Sequence, residues 1–135
     1  MTQEDKDLLL KDLCARLPYG VKVQHQHQEY LNEVQTIEII SKKYGEIETE
    51  SVLGFVDDFK PYLFPLSSMT EEQKKEYNRW KHEIPICHYE YGDIVEEIEL
   101  FDSPESFEYL IENHFDYYGL IEKDLAIDAT GKNIY

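Results

Sequence analysis

The stretch that most constrains the fold is Ser103–Ile127, SPESFEYLIENHFDYYGLIEKDLAI, a capped amphipathic pattern running into an aromatic corner. Ser103 suits an N-cap, because its hydroxyl can accept a free N–H of the first turn. Pro104 suits the first helical position and Glu105 the positive end of the dipole. Phe107, Leu110, Ile111 and His114 recur at helical spacing and predict one buried face. Phe115, Tyr117, Tyr118, Leu120 and Ile121 follow, too apolar to be left in water.

Upstream, Gln3–Leu17 predicts a helix started by Thr2 with Asp5 three residues on, carrying a Leu9, Leu10, Leu13, Leu17 stripe and stopped at Pro18. Cys14 falls on the same face and predicts a buried thiol. Strands are expected at Val21–His27, Val34–Lys42 and Glu46–Val56, joined by a connection over Gln28–Asn32 and a turn at Tyr44–Gly45. FKPYLFPL, Phe59–Leu66, has two prolines within five residues and predicts an apolar loop pinned against the core. Ser68 with Glu71, or Thr70 with Gln73, caps a surface helix reaching about His82, with Glu71–Lys75 and Glu76–Arg79 placed to pair. Ile86–Phe101 fits a strand face and a helical face about equally, and is assigned as strand. The resulting expectation is one α+β domain over residues 1–135: an antiparallel sheet of three to five strands packed with two or three helices, and residues 128–135 as a loose tail.

No apolar run approaches the ~20 residues of a membrane span. The start MTQEDKDLLLKDL lacks a basic region ahead of its leucines, so no signal peptide and a cytoplasmic location are expected. Residues 93–135 hold twelve acids against Lys123 and Lys132, and so carry ten of the net 16 negative charges. Phosphate backbones would be repelled, so direct nucleic-acid binding is not expected.

Three constellations carry candidate chemistry. His25 and His27, two apart on a strand, share a face and would offer two metal ligands; a third from His88, His114 or an acid must come from elsewhere. The plainer reading is a strand running toward solvent at its hairpin end with both rings half exposed, since two ligands without a third define no site. His114 beside Asp116 has the makings of an oriented base; a His closing a helix and an Asp capping a turn is the plainer reading. The acids Asp93, Glu96, Glu97, Glu99, Asp102, Glu105, Glu108 and Glu112, interleaved with Tyr109 and other tyrosines, form a docking face for a basic protein or a solvated surface. No HExxH, CxxC, phosphate-cradling glycine run or nucleophile elbow is present, and no cofactor is expected.

LLLKDLCARLPYGV (Leu8–Val21), KPYLFPLSSMTEEQ (Lys60–Gln73) and HFDYYGLIEKDLAID (His114–Asp128), together about a third of the chain, resemble segments of a family of small uncharacterised proteins. That family is associated with gut bacteria of the Bacteroidales type and their prophages. Its last block has Arg near Tyr118 and Gly near Asp124, where this chain departs. The resemblance implies no activity or ligand, only a phage or mobile-element origin. The expected function is therefore an interaction module binding a basic protein partner through its acidic C-terminal third. The alternatives are a metal-binding domain or metal-dependent enzyme on His25 and His27, and an accessory subunit associating through Phe59–Leu66.

Overall fold

A computed structural model describes residues 1–31 and 33–135; Asn32, the end of the expected Gln28–Asn32 connection, lies outside the described residues. The chain forms two compact units, Met1–Ser68 with Ile111–Tyr135, and Met69–Leu110. The architecture is α+β, with three α-helices, a six-stranded mixed sheet and a separate two-stranded ribbon. No described helix is long and apolar enough to cross a membrane.

In the first unit, helix α1 (Gln3–Arg16) starts as expected: Thr2 Oγ1 accepts from the Asp5 amide at 3.1 Å, and the Asp5 carboxylate accepts from the Thr2 amide. A 3-10 turn at Leu17–Tyr19 contains Pro18 and ends at Gly20, whose φ of 69° is the left-handed conformation glycine favours. Leu9 and Leu13 are fully buried, with Leu10, Leu17 and Cys14 half-buried, and burial pushes the Cys14 thiol pKa up. The buried stripe also carries Asp12 and Arg16, which apolar periodicity does not reveal.

The sheet is built from β1 (Lys22–His25), β2 (Gln35–Ser41), β3 (Glu46–Thr49), β4 (Leu53–Phe55), β5 (Phe59–Leu63) and β8 (Ile127–Asp128), in spatial order β4-β3-β2-β1-β5-β8. All neighbours are antiparallel except β5 and β8. Two expectations are corrected here. Glu46–Val56 is not one strand but the β3–β4 hairpin, because Thr49 Oγ1 accepts from the amides of Ser51 and Val52 and bends the chain back. Within Phe59–Leu66 the expected loop is strand β5 over Phe59–Leu63, between β1 and β8 with Phe59, Pro61, Tyr62 and Leu63 buried; the expected packing against the core holds, and residues 64–66 leave the strand.

Pro61 is tolerated in β5 for a geometric reason. Gln26 N–H donates to Asp58 O at 2.7 Å, so the alternation of the ladder leaves Pro61, opposite Val23, pointing its nitrogen away from β1. β8 pairs only from Tyr62 onward, so the missing N–H costs no ladder bond. The same burial removes Phe59–Leu63 as a surface for self-association. The core joins Leu9 and Leu13 to Val21, Val23, Ile37, Ile47, Val56, Phe59, Leu63, Leu120, Leu125 and Ala126. The chain end, expected to be loose from residue 128, is tied down: Tyr135 Oη donates to Tyr62 O at 2.8 Å and accepts from the Lys22 amide at 2.9 Å.

The second unit holds α2 (Glu71–Arg79), β6 (His82–Glu90), β7 (Asp93–Phe101) and most of α3 (Pro104–Glu112). The Thr70–Gln73 capping box forms, α2 buries no residue, and its ion pairs are Glu71–Lys74 and Glu76–Arg79. Lys74, not the expected Lys75, takes Glu71. The strand assignment for Ile86–Phe101 holds, but as two strands around a turn at Tyr91–Gly92. α3 is capped as expected, with Ser103 Oγ accepting from the Ser106 amide at 3.0 Å and Ser106 Oγ accepting from the Ser103 amide at 2.8 Å.

Candidate functional site

β6 and β7 pair over nine residues each in unbroken antiparallel register, from His82↔Phe101 to Glu90↔Asp93. Side chains alternate across a strand, so the register defines two faces. One carries Pro85, Cys87, Tyr89, Ile94, Ile98 and Leu100 with Glu83 and Glu96. The other carries Glu90, Asp93, Glu97 and Glu99 among Ile84, Ile86, His88 and Val95, with His82 and Phe101 at the base. Every residue of the two strands is exposed except Ile86 and Val95, which are half-buried. Tyr89 is 79% exposed, Ile94 67% and Ile98 68%. Two-stranded ribbons without a packed face are marginal in water. Burying an Ile of this kind is worth about 1.5–3 kcal/mol, which a covering surface would supply.

The tip adds strain. Tyr91 and Gly92 have φ of 52° and 87°, the positive pair a two-residue hairpin turn requires. Gly92 adopts it freely. Tyr91 does so at a cost of about 1–2 kcal/mol while standing 99% exposed. Glu90 and Asp93, directly opposite one another behind it, concentrate negative charge at the tip.

The ribbon's base is held by its own unit. Tyr77 hydroxyl donates to Asp102, which also accepts from Ser106 Oγ at 3.2 Å, and Ser103 Oγ donates to the Trp80 carbonyl. Tyr77 stacks on Tyr109 at 6.4 Å, and Lys81 Nζ lies 4.3 Å from the Tyr77 ring centroid. Burial and the nearby Glu76 raise the Tyr109 pKa.

The acids expected as one docking face are therefore distributed. Glu97 and Glu99 share a ribbon face, Glu96 lies on the opposite face, and Asp102 is engaged at the base. Glu105 and Glu108 are exposed on α3, while Glu112, also exposed on α3, falls outside the unit that holds the ribbon. What the acid count missed is the apolar set between them. Its signal was present in the alternation of residues 82–101 around Gly92, but Tyr–Gly is not a strong hairpin dipeptide.

His25 and His27 do come together, with ring centroids 6.1 Å apart and Tyr30 against both. His25 Nδ1 is occupied, accepting from the His27 amide at 2.9 Å, and the buried ring packs edge-on against Phe59. Among the described residues no group of three or more His, Cys, Asp or Glu side chains is placed to hold a metal ion.

His114 and Asp116 do not form an acid–base pair. Both Asp116 oxygens accept backbone N–H groups, from Leu120 at 2.8 Å and Ile121 at 3.0 Å, which is the turn-capping role. His114 lies past the end of α3 with φ 62°, stacked on Tyr135 at 3.7 Å. Burial, then the charges of Arg16 and Lys22, lower its pKa to about 4. Its Nδ1 and Nη1 of the fully buried Arg16 make no hydrogen bond among the described residues. Asp12, Arg16, His114 and Asp116 are all buried, and of these Asp116 also lines a shallow groove with Pro65, Tyr117 and Glu122, where its oxygens are already taken by the two amides.

No protein-family model, curated protein or solved structure matches the chain. One open groove, lined by Lys6, Leu10, Lys42, Tyr44, Phe55 and Asp57, mixes both charges; Lys6 and Asp57 already pair at 3.5 Å. It brings no His or Cys to act as nucleophile or base. The ribbon is the surface whose composition asks for a partner.

Proposed function

We propose that the chain is a protein-interaction module that binds a basic partner through the β6–β7 ribbon. One observation carries this reading: a nine-residue ribbon exposed on both faces, with Ile94, Ile98 and Tyr89 uncovered and six carboxylates but no Lys or Arg between His82 and Phe101. The apolar residues supply the burial that holds a complex. The carboxylates steer a basic partner and make encounter salt-dependent. Tyr89 and Tyr91 offer rigid aromatic contact area with a polar tip, the chemistry interfaces favour. The resemblance to prophage-associated proteins fits a host protein as that partner.

The test compares partners retained by the wild-type chain with those retained by a Tyr89→Ser, Ile94→Ser, Ile98→Ser variant, each washed at low and high salt. The expected result is one stoichiometric basic protein held by the wild type, released by salt and absent from the variant. Equal retention by both chains overturns the assignment.

A further inference from the structure

We propose that the outer edge of β7 is a strand-addition site for an extended segment in which basic and apolar residues alternate. This deepens the preceding reading and rests on it.

Backbone geometry carries the proposal. A two-residue turn at Tyr91–Gly92 makes Glu90↔Asp93 a hydrogen-bonded pair, and such pairs recur at every second position along an antiparallel ladder. The intervening pairs, Tyr89↔Ile94, Cys87↔Glu96, Pro85↔Ile98 and Glu83↔Leu100, turn their N–H and C=O groups outward. On β7 this leaves Ile94, Glu96, Ile98 and Leu100 each presenting a donor and an acceptor. Among the described residues, no backbone hydrogen bond outside the β6–β7 ladder involves residues 93–101.

The two edges of the ribbon differ. Pro85 stands at an outward position of β6 and has no N–H, so that edge lacks a donor near its centre. β7 has no proline, no lysine and no break in register; its edge protection is the charge of Asp93, Glu96, Glu97 and Glu99, which repels an acidic strand and admits a basic one. The β6 edge lacks one central donor, while the β7 edge keeps all four.

Side chains then specify the occupant. Ile94, Ile98 and Leu100 project with Glu96 to one face of β7, and Asp93, Glu97 and Glu99 project with Val95 and Phe101 to the other, so one face is mainly apolar and the other carries three carboxylates. A strand laid beside β7 places alternate residues next to each set, so it matches best when apolar and basic residues alternate. A second copy of β7 would bring its own Asp93, Glu97 and Glu99 beside these carboxylates and be repelled. An amphipathic helix would leave the outward amides without partners.

The experiment uses the full chain and a capped nine-residue peptide alternating Lys and Val, with a block-ordered peptide of the same composition as control. Fluorescence anisotropy gives affinity, and amide exchange gives the site. The alternating peptide is expected to bind more tightly and to slow exchange at Ile94, Glu96, Ile98 and Leu100. Glu96→Pro removes one outward amide of β7, and Cys87→Pro removes that of the residue directly opposite. Affinity should fall about tenfold in the first and stay within about twofold in the second.

Amide exchange on the wild-type chain decides the matter even if Glu96→Pro unfolds the ribbon. Equal binding of the two peptides, equal loss from the two prolines, or the same amides protected by self-association at high concentration overturns the proposal. Binding lost in Glu97→Lys, Glu99→Lys but unchanged by Glu96→Pro overturns strand addition and leaves the ribbon as a docking surface. Binding insensitive to all of these changes overturns both readings.

Discussion

Arg16 grips Asp12 across one turn of α1 with both side chains fully enclosed, Nε to Oδ2 at 2.8 Å and Nη2 to Oδ1 at 3.0 Å. Nη2 also donates to the Phe115 carbonyl at 2.6 Å, joining the first helix to the C-terminal corner of the same unit. Burial pushes the Asp12 pKa up against the pull of Arg16, so desolvation outweighs attraction at this carboxylate. The pair fixes position more than it adds net stability. Asp12→Asn should therefore cost about 3–5 kcal/mol by stranding a buried guanidinium, whereas Asp12→Leu with Arg16→Met should cost far less. Urea unfolding of the single and double variants checks both, and equal losses would contradict the argument.

Acid should weaken the first unit through His114. Its folded pKa of about 4 lies below the ordinary 6.5, so the unfolded chain takes up the proton first. Stability is full above pH 6.5, falls as pH drops towards 4, and loses nothing further from this group below that. His114→Asn keeps a residue that tolerates the left-handed conformation while removing the titration, and should flatten the slope in that window. An unchanged slope in the variant would assign it to other groups.

Tyr91→Asn should stabilise the ribbon. Asparagine accepts the positive φ that strains tyrosine, and Asn–Gly is the preferred dipeptide for this turn. A gain of about 1 kcal/mol is expected, read as slower amide exchange in the β6–β7 ladder. If Tyr91 also serves as a contact, the same variant binds more weakly despite its steadier hairpin.

Tyr135→Phe should loosen the end of the chain. The hydroxyl bridges the Lys22 amide and the Tyr62 carbonyl, and its enclosure raises its pKa to about 12 although the residue as a whole keeps 41% of its surface. Losing the bridge should cost about 1–2 kcal/mol and speed exchange of the Lys22 amide. Unchanged exchange would show that the ring contacts with His114 and Phe64 hold the terminus without the hydroxyl.

The sequence by itself determined the features that rest on neighbouring residues. Thr2–Asp5, Thr70–Gln73 and Ser103 start helices where their side chains can reach the first-turn amides, and all three do so. Strand β1 was legible for the same reason, because period two needs no knowledge of what lies opposite, whereas residues 86–101 fitted helix and strand about equally and His82–Pro85 was taken for a helix end rather than the start of β6. Tertiary structure decided the rest. Phe59–Leu63 became a sheet strand only because the ladder parity set by Asp58 and Gln26 points the Pro61 nitrogen away from β1. Asp12 and Arg16 are buried together with the Phe115 carbonyl, a partner that arrives from far along the chain and that no local pattern announces. The acids looked like one surface in sequence, but pairing about Tyr91–Gly92 put Glu96 on one face and Glu97 and Glu99 on the other. Charge can be counted along a chain. Which face it occupies, and which backbone edge is left open beside it, is fixed by register, and register is a property of two strands together.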